Sequence, residues 1–263
     1  MPEGDTIFRT ARTLHRALAG RTVSRFLSVF PALTRVDHDR PLRGRVIESV
    51  RPHGKHLLIS FSGGLVLRTH MRMHGSWHIY RPGERWMRPR REMRIVITTD
   101  DFEAVAFDVP VAEFMTPKDV ERRPTLKDLG PDVMADGFDV DEAVRRIQAQ
   151  PDVEIADALL DQQAVAGIGN IFKSESLFAA RVSPFVRVSD VPAAQIAKIV
   201  RAARKLMRSE PRPELRVYMR GGRRCRRCGT TISRRRQGPN ARSTYWCETC
   251  QAGSGLQALG SGA

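Results

Sequence analysis

The apolar residues of this chain follow a helical period, then a strand period, then a helical period again. Ile7, Ala11, Leu14 and Leu18 recur at helical spacing and Gly20 follows, which predicts a helix over residues 5–19. From Val23 to Phe107 the rhythm shortens to strands: Val46-Ile47, His56 to Phe61, Leu65 to Leu67, Trp77 to Tyr80, Met93 to Thr98 and Ala104 to Phe107. Gly63-Gly64 and Pro82-Gly83 separate runs as turns. Many short strands in succession predict a sandwich or barrel-like first domain. Pro117, Pro124, Gly130 and Pro131 then mark a linker. The helical period returns from Val140 to Arg208, strongest over Asp152–Leu160, Asn170–Ala180 and Ala193–Met207. An apolar, glycine-bearing stretch from Gln162 to Gly169 breaks the first two of these apart.

The only four cysteines lie beyond the last helix, as Cys225-Arg-Arg-Cys228 and Cys247-Glu-Thr-Cys250. Two residues between thiolates let one knuckle present both sulfurs to one ion, and two knuckles complete a closed tetrahedral site. Such a site predicts one structural Zn2+ that folds the segment without catalysing. Two disulfides in a secreted protein would use the same residues. Residues 1–20 read as a charged amphipathic helix, however, and no run of about 18 apolar residues exists to span a membrane. Metal and an intracellular setting are therefore expected.

Charge changes the picture further. The chain has 44 basic and 29 acidic residues, a formal net charge of +15 and a pI near 10.8. Arg201 to Cys250 alone holds 15 basic and 3 acidic residues. An excess this local, around a metal site, points to a polyanion. The segment lacks the amphipathic helix that a membrane surface requires, so nucleic acid is the expected partner.

Four constellations could carry chemistry. The first is Met1-Pro2-Glu3-Gly4-Asp5. Removal of Met1 would leave Pro2 with a secondary α-amine, a class that titrates near pH ~8 and is nucleophilic at neutrality. Glu3 beside it could serve as general acid. The bland alternative makes both carboxylates first-turn partners of a helix dipole. The second is Gly167-Ile168-Gly169-Asn170, where a helix N-terminus offers a phosphate site, or Asn170 is an ordinary N-cap. The third is Lys55, the only lysine in the first 117 residues, at the start of an apolar strand. It could equally be a solvent-facing cap of a sheet edge. The fourth is His70-Met71-Arg72-Met73-His74-Gly75, whose methionines suit either a core or a wedge that fills a gap in base stacking.

Four motifs in order, MPEGDT, HGKHLL, GIGNIF followed by Ser174-Glu175, and ARSTYWC within the four-cysteine segment, together resemble the formamidopyrimidine-DNA glycosylase and endonuclease VIII family. The likeness runs from residue 1 to about 251. It implies an α+β fold: an N-terminal β-sandwich with flanking helices, then a helical domain with a helix-two-turns-helix and a four-cysteine zinc-finger β-hairpin. The expected boundaries are 1–115 for the catalytic sandwich, 116–136 for the linker, 137–213 for the helical DNA-binding domain, 214–251 for the zinc finger and 252–263 for a disordered tail.

The resemblance also implies a bifunctional glycosylase and abasic-site lyase of base-excision repair, acting on damaged double-stranded DNA. Its site residues would be Pro2 as Schiff-base nucleophile, Glu3 as general acid, Lys55 for β-elimination and phosphate contact, and Arg242 for δ-elimination and phosphate contact. Gly169 and Asn170 would grip the backbone, and Arg72, Met73 and His74 would fill the void left by a flipped nucleotide. A monomer without membrane association, cytoplasmic and nucleoid-associated, is expected.

MPEGDT looks like the endonuclease VIII branch, whose substrates are mostly oxidised pyrimidines. Arg208 to Arg224 is also too short for the lid that covers 8-oxoguanine in the purine-lesion branch. Two positions depart from the endonuclease VIII pattern. Asp128 stands where relatives often have arginine, and Arg72 replaces a glutamine. Two rival readings are an 8-oxoguanine or formamidopyrimidine-type glycosylase and a non-catalytic, zinc-stabilised DNA-binding protein.

Overall fold

A computed structural model describes residues 2–252. The tail expected from residue 252 lies, past Ala252, outside the described residues. The chain divides into two compact units, Met1–Asp128 and Leu129–Ala263.

The first unit opens with helix α1 (Gly4–Leu18) and continues through β1 (Arg25–Ser28), α2 (Pro31–Asp39), β2 (Ile47–His53), β3 (His56–Phe61), β4 (Leu65–His70), β5 (Ser76–Tyr80), β6 (Met93–Thr98), β7 (Glu103–Phe107), β8 (Val111–Met115), α3 (Pro117–Arg122) and α4 (Pro124–Lys127). The strands form two antiparallel four-stranded sheets, in the orders β1-β6-β7-β5 and β2-β3-β4-β8. Leu57, Ile59, Phe61 and Leu67 from one sheet meet Phe26, Ile95, Ile97, Ala104 and Ala106 from the other in one buried core. The helical stripe of α1 (Ile7, Ala11, Leu14, Leu18) closes that core, each residue at most 1% exposed. The sandwich is thus what the period-two pattern requires: both inner faces bury alternate apolar positions. Val105 and Phe107 point the other way and form an outer cluster with Tyr80 and Val96, covered by Trp86 and Met93.

The second unit contains α5 (Val140–Gln148), α6 (Ile155–Ala158), α7 (Asn170–Ala180), α8 (Ala193–Arg208) and the hairpin β9 (Ser233–Gln237) to β10 (Arg242–Trp246). Helix α7 packs on α8 and on β10, and α8 packs on α5. Nearly all of α7 is buried, polar residues included. The expected α+β architecture is present, with the four-cysteine hairpin at its end.

The differences from the sequence reading are local. Helix α2 interrupts the stretch read as strands. Pro31 starts it, and only Leu33 is buried, too little to show a helical stripe. The helix expected over Asp152–Leu160 shrinks to α6. Its first residues pair instead with 186–188, through Ile155 N to Val186 O (2.9 Å) and Val188 N to Val153 O (2.9 Å). Tertiary pairing has overridden local propensity there.

Candidate active site and zinc centre

Pro2 is half-buried, and Glu3 occupies the N-cap position of α1. The Glu3 carbonyl accepts from Ile7 N at 3.1 Å, and its residue is 1% exposed. Asp5, in the first turn, is 1% exposed as well and accepts from Thr6 Oγ1 at 3.2 Å. Two carboxyl side chains are therefore buried at one helix N-terminus, where the dipole favours negative charge. Both carboxylates do sit at the helix N-terminus, as the bland reading has it, and their burial goes beyond what that role needs.

Lys55 lies in the two-residue turn between β2 and β3, where His53 pairs with His56. Gly54 has φ +57, the positive value that the first position of such a hairpin turn requires. Lys55 is half-buried, and its charge acts on His70 at the end of β4. The rings of His56 and His70 meet edge to face at 4.7 Å. Burial, then Arg68, His70, His53 and Arg72, holds His56 down at about 2. Burial, then Arg72, Arg68 and Lys55, holds His70 at about 4. Arg68 Nη2 faces His56 Nδ1 at 3.2 Å, and Arg72 N donates to His70 Nδ1 at 3.0 Å. Both imidazoles are thus neutral at pH 7 within a ring of cations. That ring is anchored on one side, where Glu113 pairs with both Arg68 and Arg123.

The turn after β4 presents the wedge candidates. Met71 is 1% exposed and fixed in the core, while Met73 is 52% exposed. Arg72 and His74 flank Met73 and are exposed. Gly75 N donates to Met71 O at 2.9 Å, and a Cβ on Gly75 would lie 2.5 Å from that same oxygen, so no larger residue closes this turn. Arg72 sits at φ +50, an uncommon conformation for a residue with a side chain. The structure thus brings Lys55, His70 and Arg72 together and holds Met73 out to solvent.

In the second unit, Gly169 and not Asn170 is the N-cap of α7. Asn170 is 7% exposed, and its Nδ2 donates to Ser243 O at 2.8 Å, beside Arg242. Its Oδ1 is buried without a hydrogen-bond partner among the described residues. A buried orphan acceptor is unusual in a native protein. Gln162 braces the preceding turn, donating to Leu160 O and Ile168 O and accepting from Gly167 N.

The sequence reading passed over Lys173 and the role of Glu175. Lys173 is fully buried; its Nζ donates to Thr244 Oγ1 at 2.7 Å. Thr244 Oγ1 donates to Gln237 Oε1 (2.7 Å), and Gln237 Nε2 donates to Glu154 Oε2 (2.6 Å) and Pro184 O (3.0 Å). This polar chain fastens both strands of the arginine hairpin to the helices. Glu175 accepts from the backbone N–H of Arg216, Val217 and Tyr218 at 2.8–2.9 Å and so pins the lead-in to the zinc segment. The available signal was a lysine and a glutamate on a helix with little amphipathic pattern.

The ligand atoms of Cys225, Cys228, Cys247 and Cys250 all lie within 4.8 Å of one another. Cys225–Cys250 and Cys228–Cys247 sulfurs are 3.9 and 3.4 Å apart. A tetrahedron with Zn–S of about 2.3 Å has edges of about 3.8 Å, so the four sulfurs fit zinc. The donor set is closed, which makes the metal structural.

Comparison with known proteins decides the family. Residues 1–110 match the formamidopyrimidine-DNA glycosylase N-terminal domain, residues 129–211 the formamidopyrimidine-DNA glycosylase H2TH domain, and residues 222–253 the zinc finger found in FPG and IleRS. The chain belongs to the formamidopyrimidine-DNA glycosylase family. Among its relatives is the probable endonuclease 8 2 of Streptomyces coelicolor, 40% identical over 267 residues that span 96% of this chain and 95% of that protein. The DNA-(apurinic or apyrimidinic site) lyase Nei2 of Mycolicibacterium smegmatis is 35% identical over 274 residues, 97% of this chain and 100% of that protein. The Lactococcus lactis Fpg, solved with abasic-site DNA, shares the fold at TM-score 0.81 and 21% identity, covering 95% of this chain and 99% of that one. This glycosylase-family chain therefore has the zinc finger that the cysteines predict. Among its described residues no helix is long and apolar enough to cross a membrane.

Proposed function

We propose that this family member is a bifunctional DNA glycosylase and abasic-site lyase that removes oxidised pyrimidines from duplex DNA. The observation that carries this reading is the buried carboxyl of Glu3 at the N-cap of α1, one residue from Pro2. Once Met1 is removed, the Pro2 nitrogen attacks C1′ of a flipped nucleotide. The bond from C1′ to the base breaks, the base leaves, and Glu3 delivers a proton to the sugar ring oxygen as the ring opens. The resulting iminium acidifies the C2′ proton. Loss of that proton expels the 3′ phosphate, and a second elimination expels the 5′ phosphate. Lys55, inside the cationic ring with His70 and Arg72, suits phosphate contact during the first elimination. Asn170 and Arg242 suit the phosphates beside the lesion, and the exposed Met73 suits the emptied stack. Burial of Glu3 keeps water away from the proton it exchanges.

The short segment from α8 to Cys225 supports the pyrimidine branch. Glu175 pins its backbone at residues 216–218, which leaves little of the segment to serve as a lid over a purine lesion. We also propose that the protein acts as a monomer in the cytoplasm. Nicking assays on duplexes carrying thymine glycol or 8-oxoguanine test the reading. Faster cleavage at thymine glycol, with phosphate on both sides of the gap, is expected. Faster cleavage at 8-oxoguanine would move the protein to the purine branch, and no cleavage of either would reject catalysis.

A further inference from the structure

We propose that the loop between β5 and β6, residues 81–91, is a second DNA-contacting element that grips backbone phosphates beside the Met73 turn. The inference rests on the reading that the first unit works on duplex DNA.

The loop carries Arg81, Arg85, Arg88, Arg90 and Arg91 against Glu84. Most charged loops are simply solvated, and three observations set this one apart. It is firmly built. Trp86 packs edge-on to Phe107 at 5.7 Å and donates Nε1–H to Glu103 at 2.6 Å. Met87 N donates to Tyr80 Oη at 3.2 Å, and Arg81 N to Glu84 Oε2 at 2.9 Å. A loop held this way loses little entropy on binding.

It is also tied to the wedge turn by one guanidinium. Arg88 donates to Glu92 Oε2 (2.8 Å), Asp108 Oδ2 (2.6 Å) and Ser76 Oγ (3.0 Å), and reaches the carbonyl of His74 at 3.4 Å. Arg94 takes the other oxygen of Asp108 at 3.1 Å. The nearby carboxylates are thus engaged by Arg88 and Arg94. Arg85, Arg90 and Arg91 are exposed and, among the described residues, have no carboxylate partner.

The third observation is apolar. Met87 is 80% exposed, on a loop tethered to the one that exposes Met73. Residues Gly83 to Arg90 line an open hollow of about 530 Å³. An exposed methionine between arginines suits a sugar-phosphate strand, which offers apolar sugar faces between charges.

The chemistry favours backbone over base. Trp86 is the one ring on this loop, and it is already engaged within the protein: it meets Phe107 at right angles at 5.7 Å, and Arg90 lies over it at 5.3 Å. Arginines without a stacking platform contact phosphates, and such binding is indifferent to sequence and sensitive to salt.

The test uses full-length, zinc-loaded protein and a duplex with a non-cleavable abasic analogue. Affinity is measured by anisotropy across about 50 to 300 mM potassium chloride. The variant Arg85→Ala/Arg90→Ala/Arg91→Ala should weaken binding at least about tenfold and lower the log–log salt slope by about two to three, since each phosphate contact adds about 0.9. The loss should be equal on unrelated sequences, and Arg35→Ala/Arg43→Ala should leave the slope unchanged. Should loss of the Arg90–Trp86 contact unfold the triple variant, Arg85→Gln/Arg91→Gln should still lower the slope by about one to two. A wild-type slope in a folded variant would overturn the inference and leave the proposed function standing. A wild-type protein that binds no duplex would overturn both.

Discussion

The two units hold positive charge in place by different means. In the first, cations surround uncharged imidazoles on a sandwich whose two sheets and helix α1 share one extensive apolar core. Lys55, Arg68 and Arg72 are positioned by strands and tight turns, with an ion pair from Glu113 to Arg68. In the second, the arginine-rich hairpin rests on a small cluster: Phe178, Val217, Cys225, Ile232, Tyr245 and Cys247. Two of those residues are themselves metal ligands. What packing does for the sandwich, zinc and a buried polar chain from Lys173 to Glu154 do for the hairpin. Small cores need such staples.

The strongest way to break this contrast is to take the metal away. Chelation, or Cys247→Ser, should cost at least about a hundredfold in DNA affinity, because zinc-binding energy is folding energy for the segment. The sandwich should stay folded. Tryptophan emission separates the outcomes: Trp246 lies in β10, against Phe185 at 4.7 Å, while Trp77 and Trp86 lie in the first unit. In variants that retain one tryptophan each, only Trp246 should shift to the red. A parallel shift of Trp77 would mean that the sandwich also depends on zinc.

A smaller effect sharpens the role of the polar chain. Thr244→Val preserves shape but removes the oxygen between Lys173 and Gln237. Leaving buried polar partners short of a bond should destabilise the second unit by about 2 kcal/mol. The melting temperature of zinc-loaded protein checks it, and an unchanged value would show that the chain is not what fastens the hairpin.

The smallest expected effect belongs to the first unit. His56 and His70 bind protons less readily folded than unfolded. Stability is therefore fully present above the ordinary histidine value of 6.5 and falls as pH drops from there toward about 4 for His70 and about 2 for His56. Each contributes at most about 2 kcal/mol of loss by pH 5, and His70, only partly shielded, contributes less. Urea midpoints at pH 7 and 5 should show the drop, and His56→Gln should shrink it. A midpoint flat between these pH values would contradict the neutral-imidazole picture.

The same contrast explains what could be read from the sequence. The β3 and β6 runs and the α1 stripe were legible from the period of their apolar residues, and the 170–180 helix from its length and the glycine turn that opens it. The metal site was legible because thiolate geometry fixes the spacing of its knuckles. Helix α2 was hidden by its exposure, and the short α6 by a pairing with residues 186–188 that no local pattern announces. Glu3, Lys55 and Met73 stood out as members of motifs, and Lys55 also as the only lysine in the first 117 residues. Their burial, half-burial and exposure are properties of the fold, as are the neutral histidines beside Lys55 and the Arg88 tether. Lys173 went unread because its one local signal, a place on a helix with little amphipathic pattern, does not by itself mark a buried lysine.

The central claim is that the nitrogen of Pro2 does the chemistry. Borohydride added to protein and an abasic-site duplex should trap a covalent adduct, and peptide mass analysis should place it on Pro2. Protein that retains Met1, or carries a blocked N-terminus, should bind the duplex and give no adduct. An adduct on Lys55, or none from protein confirmed to begin at Pro2, would contradict the account.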